Sequence, residues 1–216
     1  MEDAKIVISK RAARFLHDGD VVNLGIGMPE MVANYLPEDV HVIFQSENGI
    51  MGMSSAATAE NEDTNVSNAG GKYVTTIPGA SFFDSATSFG LIRGGHVDAT
   101  ILGALQVDEE GSLASHMIPG KMVPGMGGAM DLVAGAENVI VITTHTDKKG
   151  SPKIIDKCTL PLTAYKRVKW IITELAVIES TAEGLVLREV NAESSVEEVV
   201  SKTGAKLIVP ENVATF

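Results

Sequence analysis

The N-terminal part of the chain carries apolar residues at the spacing of an amphipathic helix. Positions i, i+4, i+7 and i+8 of this pattern are occupied by Ile8, Ala12, Phe15 and Leu16. Asp3 precedes the pattern as an N-cap candidate, and Gly19 follows it as a stop signal, because glycine readily adopts the conformation that ends many helices. The pattern therefore predicts a helix that begins after Asp3 and ends before Gly19, with a strand after it.

The pattern changes twice within residues 20–36. β-Branched residues come first, Gly25 and Gly27 follow, and Pro29 then occupies a position that favours the first turn of a helix. This order predicts a strand, a glycine turn and a helix. Residues 40–46 form the next apolar run and predict a second strand, which ends at Glu47.

Later runs are rich in Val, Ile and Leu, and several lack polar interruptions, as is typical of strands covered on both faces. They cover residues 98–107, 138–145, 169–178, 184–190 and 205–210. A helix is predicted at 195–204, where Ser195 and Glu198 form a capping-box pattern and Gly204 ends it. Helices interleaved with buried strands favour an α/β sandwich. We expect one domain over residues 1–216, with the polar stretch 58–65 as a surface loop.

The composition is that of an ordinary globular protein, with 44% hydrophobic residues among 216. A net charge of −11 argues against nucleic acid or an anionic membrane surface as the main partner, because both require a clustered basic face. Cys158 is the only cysteine, which excludes an internal disulfide and a multi-thiolate metal site and is typical of a reducing cytoplasm. Early acidic residues and interrupted apolar runs predict neither a signal peptide nor a membrane span.

The stretch FQSENGIMG, residues 44–52, places the carboxylate of Glu47 where an apolar run ends, and Gly49 follows closely. A buried charge needs a partner, and glycine allows a tight turn or the close approach of a ligand. In open α/β sheets ligands bind outside the carboxyl ends of the strands. Residues 23–27 and Glu47 therefore predict one wall of a site. A solvated or salt-bridged Glu47 is the alternative.

Other motifs are less specific. The stretch GIGMP resembles half of a dinucleotide fingerprint but lacks the third glycine. The five histidines are widely separated, so we predict no metal site. Neither GASFF nor KCTLP supplies the elbow of a serine or cysteine nucleophile. The segment 118–133 is either a long loop before a helix or a place where Gly127 and Gly128 let backbone N–H groups approach a polarised oxygen.

Four stretches, taken together and in order, carry a resemblance that none carries alone. They are VNLGIGMP, QSENGIMG, IRGGHVDATILGALQVD and PGKMVPGMGGAMDLV. Together they resemble the beta subunit of the class I CoA-transferases, in the group of 3-oxoacid and acetate or butyrate–acetoacetate CoA-transferases, from residue 3 to about residue 180. The resemblance implies the three-layer α/β/α sandwich that this family shares with glucosamine-phosphate deaminases and ribose-phosphate isomerases.

The resemblance also implies roles for individual residues. Glu47 would be the nucleophile that attacks an acyl-CoA thioester, gives an acyl-glutamyl anhydride and CoA thiolate, and then becomes a glutamyl-CoA thioester. Asn23 and the backbone N–H of Gly128 would stabilise the oxyanion. Residues expected close to the substrate or to CoA are Gly25, Gly27, Asn48, Gly49 and Gly127.

A partner chain follows from the same resemblance. The CoA-binding alpha half is absent from this sequence, so we expect a hetero-oligomer, commonly α2β2, that uses coenzyme A as a substrate and holds no permanent cofactor. Many members have Asn-Trp where this chain has Ser115 and His116, and our hypothesis is that His116 tunes the choice of acyl chain. Two other interpretations remain open: an acyl-CoA hydrolase on the same scaffold, and a noncatalytic ligand-binding subunit.

Overall fold

The computed structural model describes residues 2–123 and 125–216, so Pro124 of the glycine-rich segment lies outside the described residues. Four α-helices occur in the described part: α1 Ala4–Ala13, α2 Ser85–Arg93, α3 Ala129–Gly135 and α4 Val196–Lys202. A 3₁₀ segment covers Met28–Tyr35. The strands are β1 Val21–Leu24, β2 Ile43–Ser46, β3 Ile50–Ala56, β4 Val74–Phe82, β5 Ala99–Gly103, β6 Gln106–Asp108, β7 Leu113–Ala114, β8 Asn138–Ile142, β9 Ile154–Ile155, β10 Trp170–Ile172, β11 Ala176–Thr181, β12 Gly184–Val190, β13 Leu207–Ile208 and β14 Ala214–Thr215.

Most of the strands form one large mixed sheet in the order β13-β12-β11-β10-β8-β5-β1-β2-β3-β4, with β14 beside β12. The central strands β10, β8, β5, β1 and β2 run parallel to one another. Antiparallel pairs flank them, with β3 and β4 on one side and β11 and β12 on the other. A small sheet of β7, β6 and β9 lies apart from this order.

The large sheet is covered on both faces. Val139 and Val141 of β8 belong to one core cluster, and the intervening Ile140 and the following Ile142 belong to the other, because successive side chains of a strand point to opposite faces. Helix α1 and the 3₁₀ segment cover one face through residues such as Ile8. The other three helices and the small sheet cover the opposite face. The three-layer α/β/α architecture is therefore confirmed.

The first helix begins where the sequence predicts but ends earlier. Asp3 caps it, since its carboxylate accepts a hydrogen bond from the backbone N–H of Lys5 at 2.8 Å. The helix ends at Ala13, well before Gly19. The amide groups of Phe15 and Leu16 bond three residues back instead of four, which tightens the chain into a last turn. This turn keeps the apolar pattern although the helix has ended.

Two of the apolar runs expected to be strands contain two strands each. Residues 98–107 divide into β5 of the large sheet and β6 of the small sheet. Residues 169–178 divide into β10 and β11, which pair antiparallel around Thr173. The hydroxyl of Thr173 accepts hydrogen bonds from the amides of Leu175 and Ala176. The threonine side chain thus closes a hairpin inside a run that looks continuous by hydrophobicity.

Further differences concern the type of helix and its capping. Residues 28–35 form a 3₁₀ segment and not the α-type helix that the glycine turn and proline suggest. The helix at 195–204 is confirmed as α4, and Ser195 accepts from the amide of Glu198 at 3.2 Å. The second hydrogen bond of the capping box, from the Ser195 amide to the Glu198 carboxylate, is wrong. The Glu198 carboxylate accepts from the Ser194 hydroxyl instead. Strands β3 and β4 and helix α2 were not predicted.

Two other predictions concern the surface. The stretch 58–65 is fully exposed, which confirms it as a surface loop. No helix within the described ranges has both the length and the hydrophobicity needed to cross a membrane.

Candidate active site

Glu47 lies in the tight turn Glu47–Gly49 that joins β2 to β3. The amide of Gly49 donates to the carbonyl of Ser46 at 2.9 Å, and the amide of Phe83 donates to the Gly49 carbonyl at 3.0 Å. Gly49 has a φ of 117°, and a Cβ built there would lie 1.9 Å from the Phe83 carbonyl oxygen. The glycine is therefore required by the crossing of two chain segments, while room for a substrate beside it stays a prediction.

Asn23 and Glu47 are brought together by the pairing of β1 with β2. The two strands are parallel, with Asn23 opposite Gln45, so both strand ends face the same edge of the sheet. The Nδ2 group of Asn23 donates to Glu47 Oε2 at 3.0 Å. Asn23 is buried, whereas Glu47 is half-buried. The arrangement gives one carboxylate oxygen a fixed donor and leaves part of the carboxylate accessible.

Two residues that the sequence did not indicate complete this polar cluster. Asn23 Nδ2 also donates to Gln45 Oε1 at 2.8 Å. The Nε2 group of Gln45 donates to the Ser88 hydroxyl on α2 at 2.9 Å. Gln45 and Ser88 are both buried. Neither residue type has a signature in sequence, and the contact joins positions 43 residues apart, so only the folded structure reveals it.

Gly128 approaches the same carboxylate from α3. It is the N-cap of this helix and is buried, and Gly127 before it is exposed with a φ of 59°. A Cβ built at Gly128 would lie 3.3 Å from Glu47 Cγ and 3.3 Å from the ring of Phe89. Such distances are tighter than ordinary van der Waals contacts. The absence of a side chain at Gly128 therefore allows the backbone to lie directly against Glu47.

The backbone amides of Gly25 and Gly27, in the glycine turn at 25–27, donate hydrogen bonds to other groups of this protein. The amide of Gly25 donates to the Ile101 carbonyl at 2.8 Å, and the amide of Gly27 donates to Glu30 Oε2 at 3.1 Å. Glu30 also accepts from Asn68 Nδ2 at 3.1 Å and pairs with Lys72. Because a carboxylate of the chain already occupies the Gly27 N–H, this turn does not present that group to a nucleotide phosphate.

The segment around residue 68 also packs against the Glu47 turn. Asn48 is exposed, and its Nδ2 group donates to the Ser67 carbonyl at 2.6 Å. The amide of Ala69 donates to the Ser46 hydroxyl at 3.0 Å. Asn48 therefore fixes a neighbouring loop, and its expected proximity to CoA remains a prediction.

The other candidate groups lie outside this cluster. His116 is half-buried, and its Nδ1 lies 3.1 Å from the Thr163 hydroxyl. His145 is buried between the hydroxyls of Thr173 and Thr203. Burial, together with the charge of Lys202, lowers the pKa of His145 to about 4. Within 2–123 and 125–216, no group of His, Cys, Asp and Glu side chains forms a metal-binding cluster.

Comparisons with known proteins identify the family of this chain. Residues 5–202 match the family model described as coenzyme A transferase. The acetate CoA-transferase subunit beta of Haemophilus influenzae is 54% identical over 210 residues, covering 97% of this chain and 94% of the relative. The acetate CoA-transferase subunit beta of Escherichia coli is 51% identical over 213 residues, covering 99% of this chain and 97% of the relative.

A solved structure shares the fold. The acyl-CoA transferase of Escherichia coli O157:H7, in a thioester complex with CoA, has a TM-score of 0.78 to this chain at 20% identity. The match covers 100% of this chain and 43% of that chain. This chain thus spans less than half the length of that solved protein.

Proposed function

The chain belongs to the coenzyme A transferase family, and we propose that it is the beta subunit that carries the catalytic glutamate. In this role it moves CoA between short-chain acids through a covalent intermediate on Glu47. The observation that carries the proposal is the 3.0 Å hydrogen bond from Asn23 Nδ2 to Glu47 Oε2. The backbone of Gly128 lies beside it, where an added Cβ would be 3.3 Å from Glu47 Cγ.

The reaction needs a carboxylate that is held but not enclosed. Glu47 attacks the thioester carbonyl of an acyl-CoA, which forms an acyl-glutamyl anhydride and expels CoA thiolate. The thiolate then attacks the glutamyl carbonyl, which forms the glutamyl-CoA thioester and releases the first acid as a carboxylate. A second acid takes the CoA by the reverse steps. One thioester is exchanged for another, so no ATP is consumed.

Asn23 and Gly128 supply the electrostatic part of the mechanism. Attack on each carbonyl places negative charge on an oxygen, and fixed donors close to that oxygen stabilise the transition state. Asn23 is 1% exposed, so its Nδ2 group is held by the protein and does not reorganise during the reaction. The N–H of Gly128 is the second proposed donor. Both activated intermediates react with water, so the complete site must exclude it.

The substrates are proposed from the names of relatives. Two proteins that are 54% and 51% identical are named acetate CoA-transferase subunit beta. We therefore place acetate among the acids, with butyrate and acetoacetate as the other candidates. Coenzyme A acts as a substrate, and no permanently bound cofactor is part of the mechanism.

An alpha subunit is the proposed partner, in an α2β2 complex that works in the cytoplasm. The relatives are named as beta subunits, which supports a second chain. Large apolar side chains next to the site residues also support it: Ile26 is 66% exposed and Phe82 is 59% exposed. Phe82 pairs with Ile50 at the end of the Glu47 turn. Exposed apolar groups around a site are typical of an interface. Nucleic acid and membranes are not proposed partners.

Mass spectrometry of the peptide that contains Glu47 tests the proposal. The chain is co-expressed with its alpha-type chain, exposed to acetoacetyl-CoA, and treated with borohydride or left untreated. We expect a CoA adduct on Glu47, reduction of this residue by borohydride and loss of transfer. Glu47→Gln should abolish the adduct, the reduction and the transfer activity itself, and Glu62→Gln in the exposed loop should behave like the unchanged protein. An unmodified peptide in a folded complex that binds CoA would indicate a noncatalytic subunit, and CoA release without an added acid would indicate a hydrolase.

A further inference from the structure

We propose that Gln45 and Ser88 are positioning residues that fix the orientation of the Asn23 amide and, through it, the Glu47 carboxylate. The inference rests on the proposed function of Glu47 and deepens it. Neither residue touches Glu47 through its side chain in the hydrogen bonds of the cluster. Their effect on the reaction would therefore pass through Asn23.

The argument starts from the two ends of an amide side chain. An asparagine amide has a donor end with two hydrogens and an acceptor end, and rotation by half a turn exchanges them. The carboxylate of Glu47 only accepts. Asn23 Nδ2 directs its hydrogens toward Glu47 Oε2 at 3.0 Å, Gln45 Oε1 at 2.8 Å and the Gln45 backbone carbonyl at 3.2 Å. If the Asn23 amide were reversed, its oxygen would face three other oxygens.

Gln45 must therefore present its oxygen to Asn23, and Ser88 supplies the acceptor that this orientation of Gln45 requires. With Gln45 Oε1 facing Asn23, Gln45 Nε2 points to the Ser88 hydroxyl and donates to it at 2.9 Å. Without that acceptor, a buried N–H group would lose its partner, which is costly. Reversal of Gln45 would then bring two donor groups against each other at Asn23. The acceptor oxygens of Glu47 and of the Gln45 backbone carbonyl thus set the orientation of the Asn23 amide and, through it, that of Gln45. Ser88 holds Gln45 in this orientation by giving its Nε2 group a buried partner.

In the part of the chain that the structure describes, the oxygen end of the Asn23 amide makes no hydrogen bond that would help to fix its orientation. Among the described residues, Asn23 Oδ1 has no hydrogen-bond partner. The orientation of the amide is consequently held from the Nδ2 side alone, where Gln45 and Glu47 lie. Asn23 and Gln45 are each 1% exposed and Ser88 is 0% exposed, so bulk water does not replace these contacts and each is stronger than it would be at the surface.

Helix α2 places Ser88 by its own geometry. The helix begins after Asp84, whose carboxylate accepts from the amide of Thr87 at 2.7 Å. Ser88 and Ile92 are its buried residues, four positions apart and hence on the same face. Burial of Ile92 in the core therefore aims Ser88 at the sheet, so the packing of α2 is transmitted to the amide cluster.

Steady-state kinetics of the complex with the alpha-type chain test this inference through a double-mutant cycle. We expect Ser88→Ala to lower kcat about 3- to 30-fold, with KM changed less than about 2-fold, because it removes one buried hydrogen bond and no substrate contact. Asn23→Ala should lower kcat about 100- to 1000-fold, the usual effect of losing an oxyanion donor. In the Asn23→Ala background, Ser88→Ala should change kcat less than about 2-fold.

Ser9→Ala is the matched control, because Ser9 is also a fully buried helical serine but its hydroxyl has no partner in the described structure. It should leave kcat unchanged. If Ser88→Ala fails to assemble, Gln45→Met gives the same test. Equal losses from Ser88→Ala in both backgrounds, or an effect on KM alone, would overturn the relay. Full activity of Glu47→Gln would instead overturn the proposed function, so the two failures are distinguishable.

Discussion

Gly135 at the end of α3 packs directly against the Ile92 carbonyl of α2: a Cβ built on Gly135 would lie 1.9 Å from that oxygen. The contact joins the helix that carries Ser88 to the helix that begins after Gly128. An ion pair between Arg93 and Asp131 at 2.7 Å spans the same two helices. The spacing of α2 and α3 thus sets the distance between two parts of the proposed site.

Gly135→Ala should therefore destabilise the protein by about 3 kcal/mol or more, because the added methyl group forces the helices apart. Gly90→Ala is the control, since a Cβ at this exposed helical position meets nothing within 4 Å. It should stabilise the protein by about 0.5–1 kcal/mol through helix propensity. Urea unfolding gives both values, and equal midpoints for the two variants would contradict the close approach.

Gly49→Ala should cost more than an alanine at an equally strained but uncrowded glycine. At Gly49 the φ of 117° combines with a contact of 1.9 Å to the Phe83 carbonyl, whereas Gly71 has a φ of 76° and open space. We expect a loss of about 3 kcal/mol or more at Gly49, and about 1–2 kcal/mol at Gly71. Thermal unfolding compares the two variants, and a smaller loss at Gly49 would disprove the steric explanation.

Acid should destabilise the protein through His145. Burial lowers its pKa to about 4 from 6.5, so between these values the unfolded chain binds a proton that the folded protein does not. Stability from this group is complete above pH 6.5, falls as the pH falls from there, and changes no further below about 4. At pH 4.5 the loss should be about 2–3 kcal/mol. His145→Gln should reduce the difference in unfolding free energy between pH 7 and pH 4.5 by this amount, and an unchanged difference would refute it.

Cys158 should be unreactive in the folded protein. Burial, with the negative charge of Asp108 as the second cause, raises the pKa of this thiol to about 12. The thiolate is the reactive form, so we expect iodoacetamide at pH 8 to leave the native thiol unlabelled and to label it after denaturation. A Cys158→Ser, Ser151→Cys variant supplies an exposed thiol for comparison. Equal labelling rates in the two proteins would contradict the effect of burial.

His116→Trp should change the preference among acids. The imidazole is half-buried beside Thr163, and a larger ring would alter the space available to an acyl chain. We expect the ratios of kcat/KM for acetate, butyrate and acetoacetate to change about 10-fold or more, as for one or two methylene groups in a pocket. Thr163→Val is the control, since it removes the hydrogen bond without enlarging residue 116. Unchanged ratios in His116→Trp would remove this residue from substrate choice.

The sequence predicted the parts of the fold that hydrophobicity dictates. Strands β1, β2, β8 and β12 coincide with apolar runs, and α4 follows its serine cap. Helix α2 was missed because, among the nine residues of SATSFGLIR, only Ser88 and Ile92 are buried and one of these is polar. Strand β4 was missed because most of its residues face outward, so the alternating signal of a half-buried strand is weak.

The candidate site was predictable only where short-range patterns mark it. Glu47 directly follows β2 and Asn23 lies near the end of β1, and a pattern of strands and glycines indicates both. Gln45 and Ser88 could not be found in this way, because ordinary polar residues acquire meaning only when tertiary packing buries them together. Gly49 illustrates the opposite case: its presence was noticed, but the crossing with Phe83 that requires it depends on the pairing of β3 with β4.

The strand order places the two strands that flank the Glu47 turn in different parts of the sheet. The strand before the turn, β2, pairs with β1 in the parallel centre of the sheet. The strand after the turn, β3, belongs to the antiparallel margin that ends at β4. Fraying of a sheet begins at its margin. Opening of β4 would leave the ladder between β1 and β2 closed, and with it the position of Gln45 opposite Asn23. The margin can therefore fluctuate, or accommodate an incoming chain, while the strand that leads into Glu47 keeps the rigidity of the sheet interior.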